Sequence, residues 1–334
     1  MVEGEMHPAE HLISEMEKKP GRVAMMRAWL ERVQDEVRAT AEKAQQIVAG
    51  EGWPVPVLNG VFGDTLAARN SSLAIEMKLL GEVQTGKLCI FVHGLCDSEK
   101  AWLPGDIDGY GAQLEQDFGF DSLYLRYNTG QHISTNGRLL AQLIDDLSNN
   151  AGTPIEEIIF IAHSMGGLVV RSACHYGQRT GEKWVSNVGK IFFLGTPHEG
   201  NDYEKIGNLT STILRVIPNP VTWGISILAN TRSAGIKDLR YGYLLDEDWQ
   251  HCDANALWQN NRHAVSLLAN TKHYIITAAL AEDMDNGFKQ YFGDGVVMAK
   301  SAKGLSLEEG FLSDHLKTIS GLTHLGLLRD LRVY

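Results

Sequence analysis

The chain has 334 residues and carries 41 acidic against 30 basic side chains, a formal net charge of −11 at pH 7. This charge disfavours a nucleic-acid partner, because a phosphate backbone selects basic surfaces, and it agrees with a soluble protein. The length suits one large α/β domain or two ordinary domains, and we take one catalytic domain with additions as the default. No apolar run approaches the roughly eighteen residues of an integral membrane segment.

The N-terminus does not read as a secretory signal, because acidic Glu3 and Glu5 stand where a signal peptide is basic. We therefore expect a cytoplasmic protein. The four cysteines have no CxxC spacing, which favours reduced thiols over a disulfide or a metal site. They are Cys89, Cys96, Cys174 and Cys252.

Residues 1–52 are predicted to form an N-terminal helical extension. Apolar residues recur there in steps of three and four between Met26 and Val48, as on one face of a helix. Gly50, Gly52 and Pro54 are typical of its end. The apolar stripe either packs on the catalytic body or, because it approximates a heptad seam, makes a homodimer contact.

Residues 53–334 are predicted to form the catalytic domain, with a mainly parallel central sheet flanked by helices, because strand-like and helical runs alternate. The strand candidates are Leu88–His93, Ser122–Arg126, Ile158–Ala162, Lys190–Leu194 and His273–Ala278. Gly137–Leu147 predicts an amphipathic helix between the second and third of them. Its apolar face is made by Leu139, Leu140, Leu143, Ile144 and Leu147.

The interval 200–265 is rich in apolar and aromatic residues but has no obvious sheet strand. An insertion of this length between two strands usually has a function. We predict a helical cap, or lid, that supplies apolar walls for an acyl chain and excludes water. Trp223 and Tyr241 are its candidate substrate-lining residues. The alternative is an ordinary helical layer over the sheet.

Residues 162–166, Ala-His-Ser-Met-Gly, are the most informative motif, because they lie between an apolar strand and an apolar helix start. A serine at such a strained turn projects its hydroxyl out of the sheet, so Ser164 is the candidate nucleophile. Small residues two before and two after it let the backbones approach. The commoner pattern has glycine at the position of Ala162, and we expect its methyl group to be tolerated. The alternative is a buried serine in an ordinary helix cap.

Acyl transfer through serine also needs a base, a carboxylate that orients the base, and donors for the oxyanion. One donor is normally the backbone N–H after the nucleophile, here that of Met165. The second candidate is the N–H of Leu95, because Gly94 lets the chain turn sharply after an apolar run. The alternative is that Gly94 merely ends a strand. One such donor is worth roughly two to three orders of magnitude in turnover.

Asp294, in a glycine-flanked turn beside an apolar run, is the first candidate for the carboxylate, although ordinary turn chemistry also favours Asp-Gly. The chain order of serine, acid and histidine then leaves His315 and His324 as bases. We choose His324, which lies in a loop-like stretch ahead of a final apolar helix, whereas His315 suits a helix start. The competing carboxylates are Asp246, Asp248, Asp283 and Asp285.

Two further histidines are interpreted as non-catalytic. His198 lies at the end of the strand that follows the Ser164 turn, but it precedes the candidate acid in the sequence. We therefore expect it to shape the site or line the substrate. His93 is assigned a structural role. Residues 106–109, Asp-Ile-Asp-Gly, lack the further ligand spacing of a calcium loop and predict a solvated turn. We expect neither a metal nor a cofactor.

Together these segments resemble bacterial α/β-hydrolases of the lipase and esterase kind, close to the inositol-deacylase-like lipases, over residues 55–330. The resemblance implies that Ser164 is the nucleophile, Asp294 the acid and His324 the base, with oxyanion amides at Leu95 and Met165. It is carried by Val92–Leu95, Arg126–Gly130, Ala162–Gly167, Gly195–His198, Gly293–Gly295 and Thr323–Gly326.

The resemblance implies a serine carboxylesterase or lipase that cleaves carboxylic esters through an acyl-enzyme. Without a secretory signal or a convincing calcium site, an intracellular carboxylesterase for short- to medium-chain acyl groups is favoured over a secreted triglyceride lipase. Its partner would be a small-molecule or lipid ester. The alternatives are a thioesterase or acyltransferase with the same triad, and a non-catalytic binding protein of the same fold.

Overall fold

A computed structural model of the chain describes residues 55–103, 109–200, 233–250, 261–279 and 315–334. Within these ranges one sheet has the strand order β1-β3-β2-β4-β5-β6-β7. The pairing of β1 with β3 is antiparallel and every other pairing is parallel. The strands are β1 (Lys78–Leu80), β2 (Lys87–Val92), β3 (Asp121–Arg126), β4 (Glu157–His163), β5 (Val188–Leu194), β6 (Lys272–Ala279) and β7 (Leu316–Ser320).

Helices lie between and before these strands. The α-helices of the described part are α1 (Val55–Ala68), α2 (Tyr110–Phe118), α3 (Ile133–Asn150), α4 (Met165–Thr180) and α5 (Ala234–Tyr241). Short 3-10 turns span Glu99–Trp102, Lys183–Asn187, Asp246–Asp248 and Leu325–Leu328. None of the helices in these ranges is both long and apolar enough to cross a membrane.

The central strands β2 and β4 are buried on both faces, which explains their nearly continuous apolar sequences. In register, Val92 of β2 lies beside Ala162 of β4, and Ala162 lies beside Phe193 of β5. The carboxyl ends of these three strands therefore meet at one edge of the sheet. That edge is where an α/β sheet places its ligands.

The five strands expected from the sequence are confirmed, with bounds that differ by one or two residues. The fold class is also confirmed, as a mainly parallel sheet flanked by helices. The helix expected at Gly137–Leu147 is longer, and one of its proposed face residues, Leu139, is exposed because it points away from the sheet layer. Cys89, Cys96 and Cys174 are buried free thiols, and Cys252 lies outside the described residues.

Two expectations for the C-terminal part are corrected. His315 directly precedes strand β7 and does not begin a helix. The apolar residues after His324 form a 3-10 turn of four residues, Leu325–Leu328, where we expected a helix. Leu327 and Leu328 of this turn are buried in the hydrophobic core, so packing of a single turn accounts for the apolar sequence.

Only part of the predicted cap at 200–265 is described. Helix α5 packs beside α1 and α3: the Ser233 hydroxyl donates to the Gly60 carbonyl over 2.7 Å, and Asp238 accepts the Ile133 N–H over 2.8 Å. The Ser172 hydroxyl of α4 donates to the Leu244 carbonyl. This portion adds to the helical layer beside the sheet, and the cap over residues 200–265 stays a prediction. Trp223 and the N-terminal extension 1–52 lie outside the described residues.

Candidate active site

Ser164 occupies the single residue between strand β4 and helix α4. Its backbone has φ 53° and ψ −125°, which a residue with a side chain rarely adopts. The Ser164 N–H donates to the carbonyl of Leu194 in the neighbouring strand β5 over 2.8 Å. This geometry is that of a nucleophile elbow, in which a strained turn presents the serine at the edge of the sheet.

The elbow requires a close approach between α4 and the end of β2. A Cβ added to Gly166 would lie 2.5 Å from the carbonyl oxygen of Val92 and 2.6 Å from that of His93, so only glycine fits there. Two residues before the serine, the Ala162 side chain is fully buried between its neighbouring strands. The structure therefore accommodates the Ala162 methyl group, although the commoner motif has glycine at this position.

The loop after β2 brings a second strand end to Ser164. The Asp97 N–H donates to the Gly94 carbonyl over 3.3 Å, and the Cys96 N–H donates to the Thr129 hydroxyl. Among the hydrogen bonds of the described residues, neither the N–H of Leu95 nor that of Met165 serves as a donor. Two uncommitted amides beside a strained serine are what an oxyanion hole requires.

His324 lies at the same edge of the sheet, in the loop after β7, and is 2% exposed. Gly195, which follows β5, has φ +60°, and a Cβ there would lie 2.9 Å from both Cε1 and Nδ1 of the imidazole. The ring centroids of His163 and His324 are 4.5 Å apart. The structure therefore gathers the predicted nucleophile and the predicted base around the carboxyl ends of β4 and β5.

A family model described as "PGAP1-like alpha/beta domain" matches residues 84–278, more than half of the chain. The chain belongs to this family. The match includes Ser164 and the loop at Leu95, and it ends before His324. Together with the sheet topology, it confirms the α/β-hydrolase fold expected from the sequence. The closer resemblance to inositol-deacylase-like lipases is consistent with a PGAP1-like domain.

Solved structures with the same type of fold are more distant. A mature lipase of Bacillus licheniformis is 19% identical over 76% of this chain and 93% of that chain, with a TM-score of 0.46. An esterase of Pyrococcus furiosus is 10% identical over 77% and 81%, with a TM-score of 0.43. An esterase of Thermogutta terrifontis is 13% identical over 76% and 88%, with a TM-score of 0.41. No curated protein sequence matches the chain.

Two other histidines, His198 and His315, have surroundings that differ from those of His324. The His198 ring is buried edge-on against Phe193, and burial, with nearby Arg171 and His273, lowers its pKa well below the usual range. The His198 ring therefore lies inside the protein beside the loop after β5, and its role in shaping the site or lining the substrate stays a prediction. His315 packs against Tyr274 at the start of β7.

His93 has the structural position that we expected. Its ring is fully buried, and its Nδ1–H donates to the Gly94 carbonyl over 3.0 Å. Burial lowers the pKa of His93 to about 4, so the ring is neutral at pH 7. The Tyr127 hydroxyl donates to the His93 carbonyl over 2.7 Å. His93 and Tyr127 therefore brace the loop that carries Leu95.

Asp294 lies outside the described residues, as do Asp283 and Asp285. The two described competitors are committed elsewhere. Asp246 forms an ion pair with Arg138 on the outer side of α3. The buried Asp248 accepts the N–H groups of Leu244 and Leu245 with one oxygen and bonds His263 with the other. Both carboxylates are therefore engaged in contacts with other residues.

Tyr241, a predicted substrate-lining residue, ends helix α5 and stacks on Tyr243 with ring centroids 5.1 Å apart. Its backbone lies against Gly200, the last described residue of the loop after β5. A cavity of about 300 Å³ lies elsewhere, between α2, the C-terminal residues and the sheet, and no predicted catalytic residue lines it. No group of three potential metal ligands occurs within the described ranges.

The residues after β3 have a supporting role that was not predicted from the sequence. Arg126–Gly130 entered the sequence prediction only through the resemblance, yet the Thr129 and Tyr127 hydroxyls bond the loop that carries Leu95. Arg126 itself pairs with the buried carboxylate of Glu99 over 2.5 Å. The sequence did offer one indication of this role, which is the polar and aromatic run directly after the apolar residues of β3.

Proposed function

We propose that the chain is a serine ester hydrolase that cleaves carboxylic esters through an acyl-enzyme intermediate. The observation that carries the proposal is the strained Ser164 between uncommitted amides at Leu95 and Met165. The presence of the His324 ring at the same edge adds the base. A structural serine would not need a backbone conformation that opposes its own stability.

In the proposed reaction, the His324 imidazole takes the proton of the Ser164 hydroxyl as its oxygen attacks the ester carbonyl. The carbonyl π electrons move to oxygen, and the resulting anion is bound by the amides of Leu95 and Met165. Collapse of the tetrahedral intermediate expels the alkoxide, which takes the proton from the imidazolium. Water then repeats these steps on the acyl-enzyme and releases the carboxylic acid.

Asp294 is the proposed acid that holds the imidazole in the reactive tautomer and stabilises the imidazolium. The finding that supports this choice is the engagement of Asp246 and Asp248 in other contacts. We further propose that the acyl group is short to medium in length and that Trp223 and Tyr241 line its path. Tyr241 is supported by its position beside the loop after β5.

The test is hydrolysis of p-nitrophenyl acyl esters of increasing chain length by the wild type and by Ser164→Ala. The variant should fold normally and lose turnover by about three orders of magnitude or more, because the nucleophile is absent. A fluorophosphonate should label the wild type and not the variant. A Ser164→Ala protein that keeps more than about a tenth of the activity would overturn the assignment.

Ser172→Ala is the matched control, because Ser172 is also buried, lies on helix α4, which begins directly after Ser164, and donates to the Leu244 carbonyl. It should keep its labelling and its turnover. Parallel assays with acyl thioesters of the same chain lengths separate the ester hydrolase from a thioesterase. A preference for thioesters over esters at every chain length would show that the enzyme is a thioesterase. The assignment of Ser164 as nucleophile would still stand.

A further inference from the structure

His163, the residue directly before the proposed nucleophile, is a polar side chain at the end of β4 that follows five apolar residues. Residues 158–162 of β4 are Ile-Ile-Phe-Ile-Ala, and all are buried. His163 is itself 2% exposed. Burying an imidazole is unfavourable unless its polar atoms are used, so this position calls for an explanation.

The explanation begins with a hydrogen bond to the chain segment that carries the base. Nε2 of His163 lies 3.1 Å from the backbone carbonyl oxygen of His324. A carbonyl oxygen can only accept, so Nε2 carries the proton and donates. The two residues are 161 positions apart in the sequence, and the bond joins the end of β4 directly to the loop after β7.

The same ring also contacts the other parts of the site. Its centroid is 4.5 Å from that of the His324 imidazole, with the planes tilted by 45°. On another side, a Cβ added to Gly94 would lie 3.2 Å from His163 Nδ1 and 3.1 Å from Ser164 Cβ. Trp102 meets the ring edge-on at 6.5 Å. One imidazole thus packs between the base and the oxyanion loop.

We propose that His163 is a positioning residue that fixes His324 relative to Ser164. This inference rests on the proposed function, because it concerns the geometry of the proposed nucleophile and base. Its N–H holds the His324 backbone, and its ring limits the positions open to the His324 side chain. Since His163 is joined to Ser164 by one peptide bond, any shift of the base relative to the nucleophile must break or bend this contact.

The expected effect is on turnover and not on substrate affinity. His163 has no role in holding the acyl chain, whereas misplacement of a catalytic group by about 1 Å can reduce the rate by about 10²-fold. A variant without the donor should therefore lose about 10- to 100-fold in kcat with little change in KM. A variant that restores a donor at the same reach should recover most of it.

The experiment compares His163→Gln and His163→Leu in the full chain. Glutamine offers an amide N–H at a distance from the backbone similar to that of imidazole Nε2, and leucine fills the space without a donor. The measurements are kcat and KM on a p-nitrophenyl ester, the rate of fluorophosphonate labelling of Ser164, and the midpoint of urea unfolding. His273→Gln is the control, a buried strand histidine whose ring lies against Phe193.

We expect His163→Leu to lose both kcat and labelling rate, His163→Gln to regain more than half of the logarithmic loss, and His273→Gln to match the wild type. The proposal is overturned if His163→Leu, folded by its urea midpoint, retains wild-type kcat, or if glutamine regains less than half of that loss. A wild-type chain that neither hydrolyses esters nor reacts with the fluorophosphonate would instead contradict the proposed function itself.

Discussion

The backbone N–H of Ser164 donates to the carbonyl of Leu194 over 2.8 Å, and the next residue after Leu194 faces the His324 ring. The end of β5 therefore supports the proposed nucleophile on one side and the proposed base on the other. Hydrogen bonding within the sheet keeps this strand end rigid, with the Gly195 N–H bound to the Ile276 carbonyl. A rigid strand end of this kind fixes the relative positions of Ser164 and His324, so that they need little rearrangement before reaction.

Relief of strain at the elbow should stabilise the fold. Ser164 has φ 53°, and such a conformation costs on the order of 1–3 kcal/mol for a residue with a side chain. Ser164→Gly removes that strain but adds about 0.5–1 kcal/mol of unfolded-state entropy. We expect the free energy of unfolding to be about 1 kcal/mol higher for Ser164→Gly than for Ser164→Ala, by urea denaturation.

The comparison with alanine is informative because both variants lack the hydroxyl and both should be inactive. Alanine keeps the Cβ and hence the strain, so only the backbone preference differs between them. An unfolding free energy about 0.5–1 kcal/mol lower for Ser164→Gly than for Ser164→Ala, which is the entropy cost of glycine alone, would show that Ser164 is not strained in the folded chain.

Gly195→Ala should damage activity more than stability. The new Cβ would lie 2.9 Å from two atoms of the His324 ring and would push the base away from Ser164. Displacement of a catalytic group by about 1 Å predicts a fall in kcat of about 10²-fold. Steady-state kinetics and urea unfolding of the same preparation measure the two effects separately.

Gly181→Ala is the matched control. Gly181 has a similar φ of +75°, but a Cβ there meets nothing within 4 Å. Both variants should therefore share the backbone strain, and only Gly195→Ala should lose turnover. Similar kcat values for the two proteins would show that a side chain at Gly195 does not disturb the proposed base His324.

The central part of the fold was predictable because parallel strands buried on both faces need long apolar runs, as in β2 and β4. The peripheral elements were missed for physical reasons. Strand β1 has three residues, and β7 buries only Ile319, so neither leaves a clear pattern. Helix α1 contains Gly60 and Gly63, and the low helix propensity of glycine argues against a helix there. Packing against neighbouring residues stabilises the helix in the folded chain.

The site was predictable where a residue type is demanded by local backbone geometry. The small residues around Ser164 indicate a tight strand-to-helix turn, and the structure shows that turn. The contacts of His163 and of Thr129 were not predictable, because they join segments far apart in the chain. Sequence pattern identifies which residues can react, whereas the supporting hydrogen bonds depend on the register of the whole sheet.

Asp294→Asn tests the proposed acid. An amide at this position would favour the unreactive tautomer of His324, and a comparable change in a serine triad lowers kcat by about 10⁴-fold. We expect a loss of several orders of magnitude in p-nitrophenyl ester turnover, with the fluorophosphonate labelling of Ser164 slowed in parallel. The folded state should persist, because the substitution conserves shape.

Asp246→Asn supplies the comparison. Asp246 pairs with Arg138 at a partly exposed position, where an ion pair contributes about 0–1 kcal/mol, so its loss should change neither kcat nor the unfolding midpoint appreciably. If Asp246→Asn were the inactive protein and Asp294→Asn the active one, the acid would have to be reassigned.

The fold should lose stability as pH falls from 6.5 toward 4. Burial lowers the pKa of His93 to about 4, and burial with nearby Arg171 lowers that of His273 to about 4, against an ordinary 6.5. Between these values the unfolded chain binds protons that the folded chain excludes. Each histidine therefore reduces the free energy of unfolding by up to about 1.4 kcal/mol per pH unit. Above pH 6.5 both rings are mostly neutral in the folded and the unfolded chain, so this loss of stability is absent.

Urea unfolding at pH 7, 6 and 5 measures this dependence in the wild type, in His93→Gln and in His273→Gln. Glutamine does not titrate, so each variant should lose about 2 kcal/mol less than the wild type between pH 6.5 and pH 5. The double variant should show both reductions, because His93 lies just after β2 and His273 lies in β6, and the two rings are expected to act independently. Variants whose stability falls with pH as steeply as the wild type would mean that both rings bind protons in the folded chain.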